Sequence, residues 1–295
     1  IDDGPEDEYL TDRLTDEALE LIEQSGDEPF CMYLSHYAVH TPLEARQPVI
    51  DKYEAKEKHG QLNATYAAMV ESTDDSVGRV MDKLDELGLT DNTLFVFFSD
   101  NGGLCKVTNN APLRHGKGSA YEGGHRVPLI VRWPGRVPAG RICDTPVIST
   151  DFYPTLLEAC GLPPMPQQHC DGQSLMPLLT GEGRPPARQA LYWHYPHYHF
   201  SAPYAAVRKG DYKLIEYMES GRTELYNLAD DLSETHDLAA AEPERCRDLI
   251  ADLHAWQEDV GAQEMTPNPD YDPRRRYEFP NRWRGGELVE CGRED

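Results

Sequence analysis

The spacing of apolar positions changes along the chain, and the changes predict its elements. Leu14, Ala18, Leu19 and Ile22 recur at helical spacing, which puts them on one face of a helix. Thr11 or Thr15 supplies a capping hydroxyl for that helix. After Pro29 the apolar run 30–34, in PFCMYLSHYAVHTP, reads as a buried strand. Residues 61–87 carry the longest helical pattern: Tyr66, Met69, Val70, Val77, Val80 and Leu84 fall on one side, and Gly88 closes it. TLFVFF (93–98) and VPLIVRWP (127–134) read as further buried strands, and DFYPTLLEACGL (151–162) as a helix. Apolar strands alternating with helices predict an α/β domain built on a parallel sheet.

The pattern changes after Gly183. ALYWHY, AAVRKGDYKLIE and TELYNL are short runs between turns, followed by one helical stretch, 242–260. This is the signature of a small antiparallel sheet with a packed helix. The tail from 266 is rich in Pro, Arg, Asn and Gly and predicts irregular chain. The predicted organisation is therefore an α/β domain over 1–184, an antiparallel sheet-and-helix subdomain over 185–265, and an irregular tail over 266–295. No internal repeat is present. No run of 18 apolar residues occurs, so no membrane span is predicted.

Charge narrows the function classes. The chain carries 28 Lys and Arg against 52 Asp and Glu, a formal net charge of −24. Nucleic-acid binding needs a basic face, and none is visible. An acid-rich, Lys-poor surface suits salty or extracellular surroundings, and equally a merely well-solvated one. The seven cysteines are scattered singly, without a Cys-x-x-Cys pair, so neither a zinc site nor a redox motif is indicated.

In α/β sheets, sites form where strands end and loops begin. Three such ends here are polar. Ser35 to Pro42 follows the first apolar run and contains His40. Asp100-Asn101-Gly102-Gly103 follows the second. APLRHGKGSAYEGGHRVP (111–128) places Arg114, His115 and Lys117 among glycines. Asp100 and Asn101 offer a carboxylate and an amide oxygen, donors suited to a hard cation; the same residues also build ordinary turns. Lys117 between two glycines gives an anion a close approach, or is a solvated loop lysine. His40 is a proton donor, an anion ligand or a structural histidine.

Taken together, these segments resemble the type I, formylglycine-dependent sulfatases of the alkaline-phosphatase superfamily. The specific block is FFSDNGG (97–103) with NAPLRHGKGSAYEGGHRVPLIVRWPG (110–135). YLTDRLTDEAL, PFCMYLSHYAVHTPL, TPVISTDFYPTLLEACGLP, GQSLMPLLTG, GDYKLIE and ELYNLADD extend the likeness over nearly the whole chain. The resemblance implies an alkaline-phosphatase-like sheet flanked by helices, present in part, with the smaller C-terminal subdomain. It implies that Asp100 and Asn101 ligate a divalent cation, Ca²⁺ or alternatively Mg²⁺. Lys117 would contact the sulfate group, and His40 would lie beside the sulfate and the leaving oxygen. Arg114 and His115 add local positive charge for substrate, and LYWHYPHYHFSAPY (191–204) offers His194 and His197 to a sugar subsite, or is a core-facing strand. The likeness is to bacterial enzymes of sulfated polysaccharides, which implies a carbohydrate sulfate ester as substrate and an extracytoplasmic location.

One family feature is missing. The family's formylglycine arises from a Cys/Ser-x-Pro/Ala-x-Arg motif. None of Cys31, Cys105, Cys143, Cys160, Cys170, Cys246 and Cys291 is followed by that pattern. The Asp-Asp pair that completes the family's metal shell also has no credible counterpart, since Asp2-Asp3 follows no apolar strand. The resemblance thus implies the C-terminal part of a sulfatase, with the nucleophile and remaining ligands in an upstream segment. A phosphoester or phosphonate hydrolase of the same superfamily, or an inactive carbohydrate-binding relative, are the alternatives.

Overall fold

The computed structural model describes residues 8–57, 61, 63–168, 170–183 and 186–270. Asp2-Asp3, the 184/185 junction and most of the irregular tail lie outside the described residues. Residue contacts divide the chain into two units: Ile1–Val96 with Val131–Arg141, and Phe97–Ile130 with Ile142–Asp295. In chain order the principal elements are α1 (Leu10–Ser25), α2 (Gln47–Glu54), α3 (Ala64–Glu86), β1 (Phe95–Phe98), α4 (Glu122–His125) and β2 (Leu129–Arg132). They continue with α5 (Phe152–Ala159), α6 (Met176–Thr180), β3 (Leu191–Tyr195), β4 (Tyr204–Lys209), β5 (Tyr212–Tyr217), β6 (Arg222–Asn227) and α7 (Pro243–Asp259). β1 and β2 pair as a two-stranded sheet. The class is α/β, with a C-terminal antiparallel subdomain.

In the first unit α1 packs on α3, with Ile22, Val80 and Leu84 at the centre of the cluster. The face of α3 is built from smaller residues than its apolar spacing predicts. Ala67, Ala68, Ser72 and Ser76 are buried, whereas Val70 is 45% exposed. Small side chains let the two helix backbones approach closely. Thr11 and Thr15 do not cap α1, which starts at Leu10 with no side-chain cap. Both are buried, and the Thr15 hydroxyl sits 2.6 Å from the Thr11 carbonyl and 2.6 Å from Ser76 Oγ. A hydroxyl that bonds back one turn is satisfied inside a helix.

Residues 30–34 do not form the predicted strand. Met32 and Leu34 pack on the cluster of Ile22, Val80 and Leu84, while Tyr33 is 93% exposed. The alternation of an extended chain is present, but a strand also needs a neighbouring ladder, and none pairs here among the described residues.

In the second unit β3 to β6 form an antiparallel meander in sequence order. The period of two assigns its faces. Ala205, Val207, Leu214 and Leu225 point to α7, where Cys246, Leu249 and Leu253 close one core. Tyr204, Ala206, Ile215, Tyr217 and Tyr226 point the other way, onto Ala120 and Tyr121 of the 111–128 loop. The register pairs Arg208 with Lys213 and Lys213 with Tyr226, so both cations project toward that loop. Upstream, fully buried Asp151 accepts from Ile148 N and Gln173 N, each at 2.9 Å, and pairs with Arg188. That carboxylate fixes the start of α5.

Leu253 is completely buried between α7 and the sheet. Leu253→Ala should cost about 2–5 kcal/mol, the lost transfer energy plus the residual cavity. In urea unfolding the midpoint should fall at unchanged slope.

Candidate active site

The site is built on a crossing of two glycine-rich backbones. Gly102 N donates to Gly124 O at 3.1 Å, and Lys117 N donates to Gly103 O at 3.0 Å. Asn110 locks the crossing: its Oδ1 accepts from Gly103 N at 2.9 Å, and its Nδ2 donates to Gly103 O at 3.0 Å and His115 O at 2.9 Å. The approach admits no side chain, since a Cβ on Gly102 would stand 1.6 Å from Gly123 O. Gly118, at φ 77°, turns the chain where L-residues are strained. Asp100-Asn101 and the Lys117 loop, far apart in sequence, are thereby brought together.

Asn101 Nδ2 donates to Asp100 Oδ2. The contact orients the amide so that its N–H₂ meets the carboxylate, leaving Asn101 Oδ1 and Asp100 Oδ1 as oxygen donors. Two hard oxygens side by side suit Ca²⁺ or Mg²⁺. Among the described residues no group of three or more His, Cys, Asp and Glu gathers as a metal site.

Lys117 lines a small concavity with Leu104, Lys106, His115, Ser119 and Phe200. Among the described residues no carboxylate pairs with its ammonium. Arg114 is different. Its Nη1 donates to Tyr226 OH at 3.0 Å and to Glu234 O at 2.7 Å, and its guanidinium lies 4.0 Å from the Tyr121 ring centre. His115, at φ 56°, stacks on Tyr121 with ring centres 5.1 Å apart. His40 belongs to the first unit, where it is exposed, with Nδ1 2.7 Å from Thr41 O and its ring edge-on to Tyr37.

The sheet grips the loop from below. Lys213 Nζ lies 2.9 Å from Glu122 Oε1 and 3.1 Å from Glu234 Oε1, and all three side chains are buried. Arg208 Nη1 stands 3.6 Å from Glu122 Oε2. Tyr121 OH donates to Glu224 Oε2 at 2.7 Å. Burial pushes the Tyr121 hydroxyl far above its usual range, so it stays a donor. The His125 ring stacks on Trp193 at 4.6 Å and meets Tyr204 OH at 2.9 Å. Burial, with the nearby Lys213 charge, holds this imidazole well below its ordinary pKa and neutral. Sequence reasoning missed these partners. The visible signal was a charged residue inside the apolar strand Tyr212–Tyr217, since a buried lysine must have acids against it.

The histidines of β3 and its following turn separate. His194 lies on the α7 face: Gln257 Nε2 donates to its Nδ1 at 2.9 Å, and its Nε2 donates to Gln263 O at 2.8 Å. Both ring nitrogens are engaged away from the Lys117 loop. His197 is exposed beside Tyr195. The turn that follows it packs on the loop, where Ser201 Oγ donates to Gly118 O at 3.0 Å and the His199 ring lies against Gly118.

The class the fold defines is an alkaline-phosphatase-like α/β domain. The sulfatase family model matches residues 2–162, and a model described as N-sulphoglucosamine sulphohydrolase, C-terminal, matches residues 115–263. The chain belongs to the sulfatase family. It is 39% identical over 260 residues to a sulfatase of Formosa agariphila, covering 80% of this chain and 47% of that protein. It is 36% identical over 195 residues to human steryl-sulfatase, covering 63% of this chain and 32% of that one. It thus spans about a third to a half of these relatives' length. The crystal structure of Ps i-CgsB in complex with k-i-k-neocarrahexaose aligns with a TM-score of 0.77 at 33% identity, over 87% of this chain and 56% of that one. A phosphonate monoester hydrolase from Silicibacter pomeroyi shares the fold, with a TM-score of 0.61 at 21% identity, over 85% of this chain and 60% of that one. A divalent metal and a formylglycine are general to sulfatases. Among the described residues no helix is long and apolar enough to cross a membrane.

Two predictions follow from this geometry. Gly102→Ala should displace the crossing and strip amide-exchange protection from position 102 and from Lys117, whose amides donate across it. Unperturbed exchange there would contradict the close approach. His125 is neutral in the fold and takes a proton when unfolded below its ordinary pKa of 6.5. Its depressed folded value gives stability that is full above that pH and lost as pH falls, by at most about 1.4 kcal/mol per pH unit. The difference in stability between the native chain and His125→Gln should therefore shrink on acidification below pH 6.5, as read by urea unfolding.

Proposed function

We propose that this chain supplies the cation-binding and sulfate-holding part of a sulfuric ester hydrolase acting on sulfated carbohydrate. The observation that supports the reading is the glycine crossing, which ties the backbone next to Asp100-Asn101 to the backbone of Lys117. The catalytic part is 1–184, with 185–265 as the subdomain that backs it.

In this reading Asp100 and Asn101 hold the divalent cation, Ca²⁺ by preference, and the cation, with a formylglycine from a segment outside this chain, supplies charge neutralisation and the nucleophile. The Lys117 ammonium binds a non-bridging sulfate oxygen, where preorganised positive charge lowers the barrier as negative charge builds. His40 gives its proton to the leaving oxygen, a role that rests on its match to the family motif. Arg114, engaged with Tyr226, Glu234 and the Tyr121 ring, shapes the loop, and His115 orders it by stacking. His197 faces the sugar; His194 braces β3 to α7. The sulfatase sequence match favours sulfate over phosphate, because the phosphonate hydrolase shares the fold alone. The family resemblance also supports a location outside the cytoplasm.

The full-length gene product containing this chain should hydrolyse sulfated oligosaccharides, and chelation of divalent metal should abolish turnover. Lys117→Ala should lower kcat/KM by about 10²–10³-fold. The isolated 295-residue chain should show no turnover; hydrolysis of an aryl sulfate by it would overturn the division of labour. His197→Ala should raise KM with kcat unchanged, whereas His194→Ala should alter stability and leave KM alone. Preference for a phosphate ester over the matching sulfate would replace the sulfatase reading with its phosphoester alternative.

A further inference from the structure

Beneath the Lys117 loop lies a buried set of charges that binds no substrate. Lys213, Glu122 and Glu234 are 0%, 2% and 0% exposed. Lys213 comes from the centre of β5, Glu122 opens α4 directly after the loop, and Glu234 sits in the turn beyond β6. Arg208 of β4 completes the set at 3.6 Å from Glu122, giving two cations and two anions with no net charge.

Glu234 also holds the loop's backbone. The second oxygen of Glu234 accepts the Glu122 amide at 2.7 Å, and the Glu234 carbonyl accepts from Arg114 at 2.7 Å. Arg114 O in turn accepts the Gly123 amide at 2.9 Å, and Gly123 O lies against Gly102. Glu234 achieves this with a left-handed backbone, φ 49°, although it is not glycine. Such a conformation persists when its surroundings over-determine it. Here the carbonyl, one carboxylate oxygen and the other are each fixed by a different partner.

We propose that Lys213, Glu122 and Glu234 form a positioning device that sets the Lys117 loop, and through Gly123 the Asp100-Asn101 turn, in reactive geometry. The charge of Lys213 is the key: without it two buried carboxylates face each other and the loop moves off the sheet. The role in turnover rests on the hydrolase reading above; the role in holding the loop does not.

The test uses Lys213→Met, close in volume and without charge, and Glu234→Gln as a second variant should the first fail to fold. In the 295-residue chain, amide exchange should rise at least about tenfold at Lys117, Glu122 and Gly123, while β4 and β5 amides keep their protection. In the full-length gene product, kcat/KM for a sulfated oligosaccharide should fall about 100-fold, chiefly in kcat, as for a displaced reacting group. The double variant Lys213→Met/Glu122→Gln should fall no further than Lys213→Met, since the residues act as a unit. Unchanged loop exchange in a folded variant overturns the device. So do unchanged turnover with a loosened loop and additive losses in the double variant. If the unmutated full-length product hydrolyses no sulfate ester, the hydrolase reading fails instead, and exchange alone decides whether the charges hold the loop.

Discussion

Everything at this site depends on two backbones crossing with no room between them for a methyl group. The constraint acts in both directions. Because the 102–103 and 116–124 segments exchange hydrogen bonds at van der Waals distance, neither can shift without moving the other. An oxygen pair that ends one strand is tied to a lysine more than a dozen residues downstream. Glycine is the only residue that permits this at Gly102, and the conformational entropy lost in ordering such flexible backbone must be offset elsewhere. It is offset from the sheet side, where Tyr121, Ala120 and Glu122 anchor the loop to strands that are themselves stapled by α7.

That anchoring uses charge where an apolar contact would also fill the space. Buried ion pairs are weak sources of net stability, because desolvation offsets most of their attraction. They are strong sources of geometric definition. An ammonium between two carboxylates fixes direction as well as distance, and a carboxylate that also accepts a backbone amide leaves the chain one arrangement. Tyr121, Tyr217 and Tyr226 around Glu224 repeat the pattern on the neighbouring stretch of sheet, with hydroxyls that burial keeps protonated. One face of the small sheet is therefore an ordinary apolar core against α7, and the other a polar framework under the loop.

Local patterns made the helices and the antiparallel meander legible. The helical stretches read at 61–87 and 242–260 and the short runs between turns after Gly183 survive into the fold within a few residues. The 30–34 run misled because apolar content reports burial, and a strand also needs a partner that no single segment encodes. Thr11 and Thr15 misled because hydroxyls serve helix ends and helix interiors alike. At the candidate site, Asp100, Asn101 and Lys117 stood out in the sequence by residue type. Their joint placement followed from the order of family motifs rather than from their spacing. Arg114 and His194 read as substrate contacts, yet their polar atoms meet protein partners contributed by distant segments. Glu234 was invisible for the same reason: its role depends on β6 returning beneath a loop more than a hundred residues earlier.

Under the proposed function, the net charge of the chain bears on how an anionic ester would be held. At a net charge of −24 the protein repels a sulfate ester at long range, and screening in physiological salt confines any attraction to about 8–10 Å. Steering by an overall field, which basic proteins use for anions, is closed to this one. Under that reading, recognition comes from short-range contacts: backbone brought close by glycine, an ammonium that no carboxylate pairs with among the described residues, and oxygen donors suited to a cation that reverses the local sign.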